Sequence, residues 1–400
     1  MVRNHVSLLC LCLTFFVVSG CTSGNQTSTP ANPQSACTPS SSPEFAYSLP
    51  DGAAAYGYSV AMYTVNSCTG ALSQTTPSSV PTGYSYPQQG AEQLAVDPLG
   101  RFLYVANLVS NASDLSTISM YTIDSATGVP TPTTPATIPT GWCPQDIAID
   151  PLGRFVYTAN SNDSSVSMFT VDQTTGVLTP TSPATVSTLV PNEALSDPSF
   201  LTVDPSGKFL YVTASLSDGA AVFMYTIDQN TGLLTPTSPA TVYTGGIPFQ
   251  VRVSPNGKFA YVVDNLASSN ESFGVWQYTV DSTTGVLTPN TPAAVASGNA
   301  PTEIAIDPTS SFAYVVNRLD NTLSMYTIDQ TTGNLTPNGT IAAGTTPFRA
   351  EFDPSGTYLY VVNEGSPASV FTVNSDGTLT AADANGTGTS SISIGFWATK

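Results

Sequence analysis

Histidine and cations are nearly missing from this chain, and both shortages exclude whole classes of function. Of 400 residues one is histidine, His5, and 9 are Lys or Arg against 27 Asp and Glu, a formal net charge of −18. A surface so poor in cations cannot neutralise a run of phosphates, which excludes nucleic-acid binding. His5 falls in a leader that is expected to be removed, so the mature chain has no imidazole. Ser-His-Asp and Cys-His nucleophilic sites and His-based zinc sites then lack a necessary part. Charged residues amount to 9%, against about one quarter in an average soluble domain. With Lys, Arg, Glu and Gln scarce, few helix formers remain. Thr, Ser, Val, Tyr, Gly and Pro abound instead, the composition of short strands joined by turns. Disorder is excluded as well, because 41% of residues are hydrophobic and 10% aromatic, enough to bury a core. No phosphate-cradling glycine loop is present.

The only long apolar run is Val6 to Val18, preceded by Arg3. At about 13 residues it is too short for a membrane span, which needs about 20, and it reads as a secretion signal. It ends in Val18-Ser19-Gly20-Cys21, which resembles the bacterial lipoprotein box. That predicts removal of residues 1–20 and acylation of Cys21. Residues 21–43 are dominated by Ser, Thr, Pro, Asn and Gln and have nothing to bury, so a flexible tether is expected. The folded domain is expected over 44–400, exported and lipid-anchored on the periplasmic or cell-surface side of a bacterial membrane.

Self-similarity decides the fold. The turn Asp97-Pro98-Leu99-Gly100-Arg101-Phe102 returns as Asp150-Pro151-Leu152-Gly153-Arg154-Phe155, as Asp204-Pro205-Ser206-Gly207-Lys208-Phe209 and as Ser254-Pro255-Asn256-Gly257-Lys258-Phe259. It recurs at Asp307-Pro308 and at Asp353-Pro354-Ser355-Gly356. An aromatic-x-Tyr strand follows each turn, from Phe102/Tyr104 to Tyr358/Tyr360, and Phe45/Tyr47 is a copy without the turn. A third strand ends each time near Tyr/Phe-Thr-Val/Ile-Asp/Asn, and a glycine turn then leads to a fourth, as at Gly176 to Pro180. Seven units of four strands predict a seven-bladed β-propeller. Inner strands such as Ile147-Ala148-Ile149 are apolar on both faces, as packing between neighbouring blades requires. The first copy lacks an inner strand, and Ile392-Ser393-Ile394 has the inner-strand pattern with nothing after it. The C-terminal strand is therefore expected to complete the first blade and close the ring.

The Asp-Pro-x-Gly-[Arg/Lys]-Phe turns and the tetrads Tyr104-Val105-Ala106-Asn107, Tyr157-Thr158-Ala159-Asn160, Tyr314-Val315-Val316-Asn317 and Tyr360-Val361-Val362-Asn363 resemble those of YVTN-repeat propellers. They also resemble the seven-bladed lactonase family, which includes 6-phosphogluconolactonase. The resemblance spans about residues 44–400 and implies fold first. In the family's cytoplasmic lactonases the segment matching Pro347-Phe348-Arg349-Ala350-Glu351-Phe352 usually carries an Arg-His pair. Here Arg349 stands in the histidine's place, while Asn363-Glu364 matches the family's Asn-Glu after the second strand.

Residues that recur in every blade belong to the scaffold. Asp97, Asp150, Asp204, Asp307 and Asp353 are expected to cap their own turns. Arg101, Arg154, Lys208, Lys258 and the strand-end asparagines are turn residues by the same logic. What breaks the repeat marks the candidate site. Inner strands begin, blade by blade, with Ser391, Gln93, Asp146, Phe200, Gln250, Glu303 and Arg349, a polar ring at the channel mouth. Asp264, Arg318, Asp320, Asn363 and Glu364 follow the second strands on the same face, and Arg252 and Glu351 replace small mid-strand residues. Candidate catalytic residues are Arg349, Glu364 and Glu303; candidate ligand contacts are Gln93, Asp146, Gln250, Arg252, Arg318, Glu351 and Asn363. Glu303 and Arg349, in adjacent blades, could alternatively form a structural ion pair.

Cys10 and Cys12 leave with the leader and Cys21 is acylated, which leaves Cys37, Cys68 and Cys143. Cys37 and Cys68 fall on one face and Cys143 on the other, so a Cys37–Cys68 disulfide is expected in an oxidising compartment. Two functions fit. The first is a monomeric binding or surface-interaction module with an unidentified small-molecule, carbohydrate or protein ligand. The alternative is a hydrolase of an unphosphorylated sugar or acyl lactone, with a carboxylate base and Arg349 holding the oxyanion. No cofactor is expected; Ca²⁺ is the one ion that plentiful oxygen ligands could hold.

Overall fold

Five of the seven blades open on a turn that the blade's own aspartate closes. In the computed structural model, Asp204 Oδ1 accepts the backbone N–H of Lys208 at 2.8 Å and of Phe209 at 2.7 Å, while Gly207 N–H reaches Asp204 O at 2.9 Å with φ +70°. Asp353 does the same toward Tyr358, and Ser254 supplies a hydroxyl in the one blade that lacks the acid. These acids are buried caps, as their repetition predicts. The structure describes residues 43–50, 59–82, 89–109, 116–190, 196–217, 219–264, 274–382 and 391–398; of residues 50, 89–92, 109 and 391–398 only the backbone is described. Cys21 and Cys37 lie outside the described residues.

The strands form seven four-stranded antiparallel sheets. In the third blade they run Pro144–Ile149, Phe155–Asn160, Ser165–Val171 and Leu178–Ser187. The outer strand is twice as long as Gly176 to Pro180 suggests; its register shifts between Phe169 and Ser167 but pairing resumes beyond Pro183. In the first blade the inner position is filled by Ser391–Ala398, paired antiparallel with Glu44–Pro50. The last strand thus closes the ring. Its register corrects one placement: Ser393 opposite Leu49, not Ser391, matches Arg349 opposite Val362.

The aromatic-x-Tyr pair turns out to be a latch between blades. Seven tyrosines, Tyr47, Tyr104, Tyr157, Tyr211, Tyr261, Tyr314 and Tyr360, each donate to the turn-glycine carbonyl of the next blade. The distances are 2.7–2.9 Å, and the series ends with Tyr360 on Gly70, last blade to first. The preceding aromatic ring fills the space beside the same glycine: Phe102 lies where a Cβ on Gly176 would be, and Gly176 has φ +72°. Only glycine accepts both demands. Apolar burial follows the same plan. The core is seven clusters, each drawn from two adjacent blades, such as Tyr63 and Leu72 with Tyr358 and Tyr360. Cys68, in the first blade's third turn, is disulfide-bonded, and Cys143 is a half-buried thiol on the opposite face.

Candidate functional site

An inner strand pairs on one side only, so its other edge presents backbone N–H groups that need partners. Side chains from the preceding blade supply them. Asp146 Oδ2 accepts Leu201 N–H at 3.0 Å, Gln250 Oε1 accepts Ile304 N–H at 2.9 Å, and Glu303 Oε2 accepts Ala350 N–H at 3.2 Å. Each acceptor follows the bulge near the start of its inner strand and serves the residue after the equivalent position of the next. The polar ring read as breaking the repeat is therefore partly a repeat in its own right, an edge clasp that Asp, Gln and Glu perform alike. Two heads cannot accept at all: Phe200 and Arg349. These two meet, with the Arg349 guanidinium 5.3 Å from the centre of the Phe200 ring.

Around them lies an aromatic collar that the sequence pattern did not reveal. Phe200 and Phe249 have ring centres 4.8 Å apart, Phe249 and Phe348 lie edge to face at 5.8 Å, and Arg349 is 5.5 Å over Phe348. Phe249 and Phe348 occupy β-bulges, the extra residues between Pro248 and Gln250 and between Pro347 and Arg349. A bulge re-aims its side chain, which carries these rings to the mouth. The signal was there: the Pro-Phe pairs at 248–249 and 347–348 head only these two inner strands.

Below Arg349 the channel holds a cavity of about 300 Å³, lined among others by Gln93, Asp146, Gln250, Glu303, Arg252 and Glu351. Arg252 Nη2 bonds Glu303 Oε1 at 2.9 Å and Glu351 Oε2 at 3.2 Å. The small Ala305, at the same level in the blade between them, leaves room for that reach. Gln250 Nε2 also donates to Glu303 Oε1 at 2.7 Å. Both oxygens of Glu303 are thereby committed, and its ionic partner is Arg252. Burial pushes the Asp146 carboxyl above the ordinary carboxylate range, against the pull of the Arg349 charge. Burial raises Glu351 too, with Arg252 opposing and Glu303 adding to the rise. Arg252 is held firmly charged: burial works against it, but Glu351 and Glu303 more than offset that.

At the rim, Arg318 Nη2 bonds Glu364 Oε2 at 2.6 Å and its guanidinium lies 5.8 Å over Phe348. Asn363 is fully buried, and its amide donates to Pro367 O at 2.7 Å and Ser369 Oγ at 3.1 Å. It braces the loop carrying Glu364 and does not reach the cavity lining. Asp264 and Asp320 bond Trp276 Nε1 and Asn299 N–H. Among the described residues no group of three or more His, Cys, Asp or Glu is placed to hold a metal ion.

Fold and site together define a seven-bladed propeller with a charged, aromatic-rimmed central channel. The family model for the lactonase seven-bladed β-propeller matches residues 50–190 and 190–396. The chain belongs to that family. No curated protein matches it in sequence. Its fold is similar to that of a candidate 6-phosphogluconolactonase from Bacteroides fragilis, at 19% identity and a TM-score of 0.71, over 89% of this chain and 98% of that one. A second candidate 6-phosphogluconolactonase, from Bacteroides uniformis, has 20% identity and a TM-score of 0.68 over 90% and 100%. The periplasmic gluconolactonase of Pseudomonas aeruginosa has 19% identity and a TM-score of 0.67, also over 90% and 100%. At such identities the likeness is one of fold.

Proposed function

We propose that the protein hydrolyses an unphosphorylated lactone at the channel mouth. The observation that carries this reading is the convergence of Asp146, with its raised pKa, and Arg349 on one cavity of about 300 Å³, a size that suits a single small ring. Asp146 is the base in place of Glu303 or Glu364. Glu303 is committed to Arg252, Gln250 and the Ala350 amide, and Glu364 is paired with Arg318. A carboxylate tuned upward by burial is a better proton acceptor near neutral pH than an exposed one. Water attacks the lactone carbonyl carbon as Asp146 takes its proton. The carbonyl oxygen becomes an oxyanion beside Arg349, whose orientation is fixed by Phe200 and Phe348. Collapse breaks the bond from the acyl carbon to the ring oxygen, Asp146 returns the proton to that oxygen, and a hydroxy acid leaves. Family membership supports the reaction class.

The protein is further proposed to act outside the cytoplasm, anchored through Cys21; the disulfide at Cys68 supports an oxidising compartment. The reaction is tested by steady-state hydrolysis of sugar and acyl lactones. Arg349→Ala is expected to lower kcat about 10²–10³-fold, the usual loss for one oxyanion donor, with a smaller effect on KM. Asp146→Asn should lower kcat comparably and remove the acidic limb of the pH–rate profile. Absence of hydrolysis across the panel by a folded protein would return the channel mouth to the reading of a ligand-binding module.

A further inference from the structure

Resting on the hydrolase reading, we infer that the substrate is a lactone bearing a flat apolar group, an aryl lactone, rather than a polyhydroxylated or phosphorylated sugar lactone. Two observations carry this independently of the catalytic pair. The first is the collar. The bulge positions hold polar residues in three blades, Gln145, Ser199 and Thr302, but phenylalanine in the fifth and seventh. Phe249 and Phe348 are only half-buried, and rings left facing the open side of a channel mouth gain nothing for the fold that a polar residue would not give. With Phe200 they form one continuous aromatic surface. On the same face Leu319 is 63% exposed and Ile247 40% exposed. Contiguous exposed apolar surface marks a place where something apolar binds, and ring-on-ring contact is what a planar ligand offers it.

The second observation is charge. Four carboxylates, Asp146, Glu303, Glu351 and Glu364, face three arginines in the channel and at its rim. Arg252 is engaged by Glu303 and Glu351, and Arg318 by Glu364. With Arg349 placed for the oxyanion, a substrate phosphate would meet arginines already engaged by carboxylates. A planar aryl group laid beside Phe249 and Phe348 places a neighbouring lactone carbonyl toward Arg349, whose guanidinium lies 5.5 Å from the centre of the Phe348 ring.

The test compares kcat/KM of the purified full-length protein for dihydrocoumarin, δ-gluconolactone and 6-phosphogluconolactone, each corrected for spontaneous opening. Dihydrocoumarin is expected to be preferred at least about tenfold over both sugar lactones. Phe249→Ala should lower its kcat/KM about 3–10-fold more than that for δ-gluconolactone, the worth of one aromatic contact; Phe348 is not truncated to alanine, because its ring also orients Arg349. The tyrosine replacements Phe249→Tyr and Phe348→Tyr keep a ring and should keep the preference, which separates stacking from damage to the fold. Sugar lactones opened as fast as dihydrocoumarin, or losses shared equally by all substrates, would overturn the aryl assignment and leave the hydrolase standing. No hydrolysis of any of the three would overturn both.

Discussion

Replacing Tyr360 by Phe isolates the worth of one blade-to-blade latch at the seam where the last blade meets the first. The hydroxyl donates to Gly70 O at 2.8 Å in a buried site, and Tyr358 lies against the same glycine. Removing the donor leaves that carbonyl buried without its partner, which costs about 1–3 kcal/mol. With an unfolding entropy of about 2.1 cal/mol/K per residue over about 360 residues, the melting temperature should fall by roughly 1.5–4 °C. Tyr278 provides the control. Its hydroxyl is buried and has no hydrogen-bond partner among the described residues, whereas Tyr326 at the same place one blade on donates to Ala296 O at 2.6 Å. The third blade already carries Phe169 there. Tyr278→Phe should therefore be neutral or slightly stabilising. Urea and thermal unfolding of both variants decide the matter: a Tyr360→Phe variant as stable as the wild type would show that the tyrosines act by ring packing alone and would refute the latch.

Asp146→Asn keeps an oxygen for the Leu201 amide and removes a carboxyl whose folded pKa is raised. The folded wild type binds more protons than the unfolded chain between the ordinary carboxylate value and the raised one. Its contribution is thus fully present below the ordinary value and is lost as pH rises through the folded value. The variant should gain stability relative to wild type as pH rises from about 4 to 7, read as denaturant midpoints; a gap that does not move with pH contradicts this. Gly176→Ala, which meets the Phe102 ring at φ +72°, should cost about 2–4 kcal/mol. Gly257→Ala, at φ +71° with open space around it, should cost only the backbone strain of about 1–2 kcal/mol. Deleting residues 391–400 strips the first blade of its inner strand and should lower the melting temperature sharply; an unchanged transition would mean that the ring closes some other way.

The blades were legible because the information that specifies them is local. Asp-Pro-x-Gly turns cap themselves within five residues, so four copies and two close variants, at Ser254 and Asp307, mark six blades. The channel was less legible, because the partner of Asp146 is an amide 55 residues away in another blade. Glu303 looked like a catalytic acid for the same reason: nothing along the chain announces that the Ala350 amide and Arg252 will occupy it. The bulges were the second obstacle. Strict alternation points Phe249 and Phe348 away from the channel, and one inserted residue reverses that conclusion. The shift of the closing strand from Ser391 to Ser393 has another origin: the apolar–small–apolar pattern of Ile392-Ser393-Ile394 repeats two residues on at Ile394-Gly395-Phe396, and only the pairing with Glu44–Pro50 chooses between them. Arg252 and Glu351 were readable because a charge among small residues needs no knowledge of register.

The edge clasp also constrains how such a channel can evolve. Where the head of an inner strand must accept a neighbouring amide, substitution is confined to residues that can accept, and Asp, Asn, Glu and Gln nearly exhaust the choice. Drift at those positions keeps the clasp while exchanging carboxylate for amide, and so can add or remove a base such as Asp146 without loosening the ring. Phe200 and Arg349 are under no such obligation, and neither are the small residues one level deeper, Ala95, Ala148 and Ala305. New specificities in a ring of this kind should therefore arise at those positions, where a mutation can be tried at little risk to the scaffold, while the clasping heads stay polar whatever the protein comes to bind.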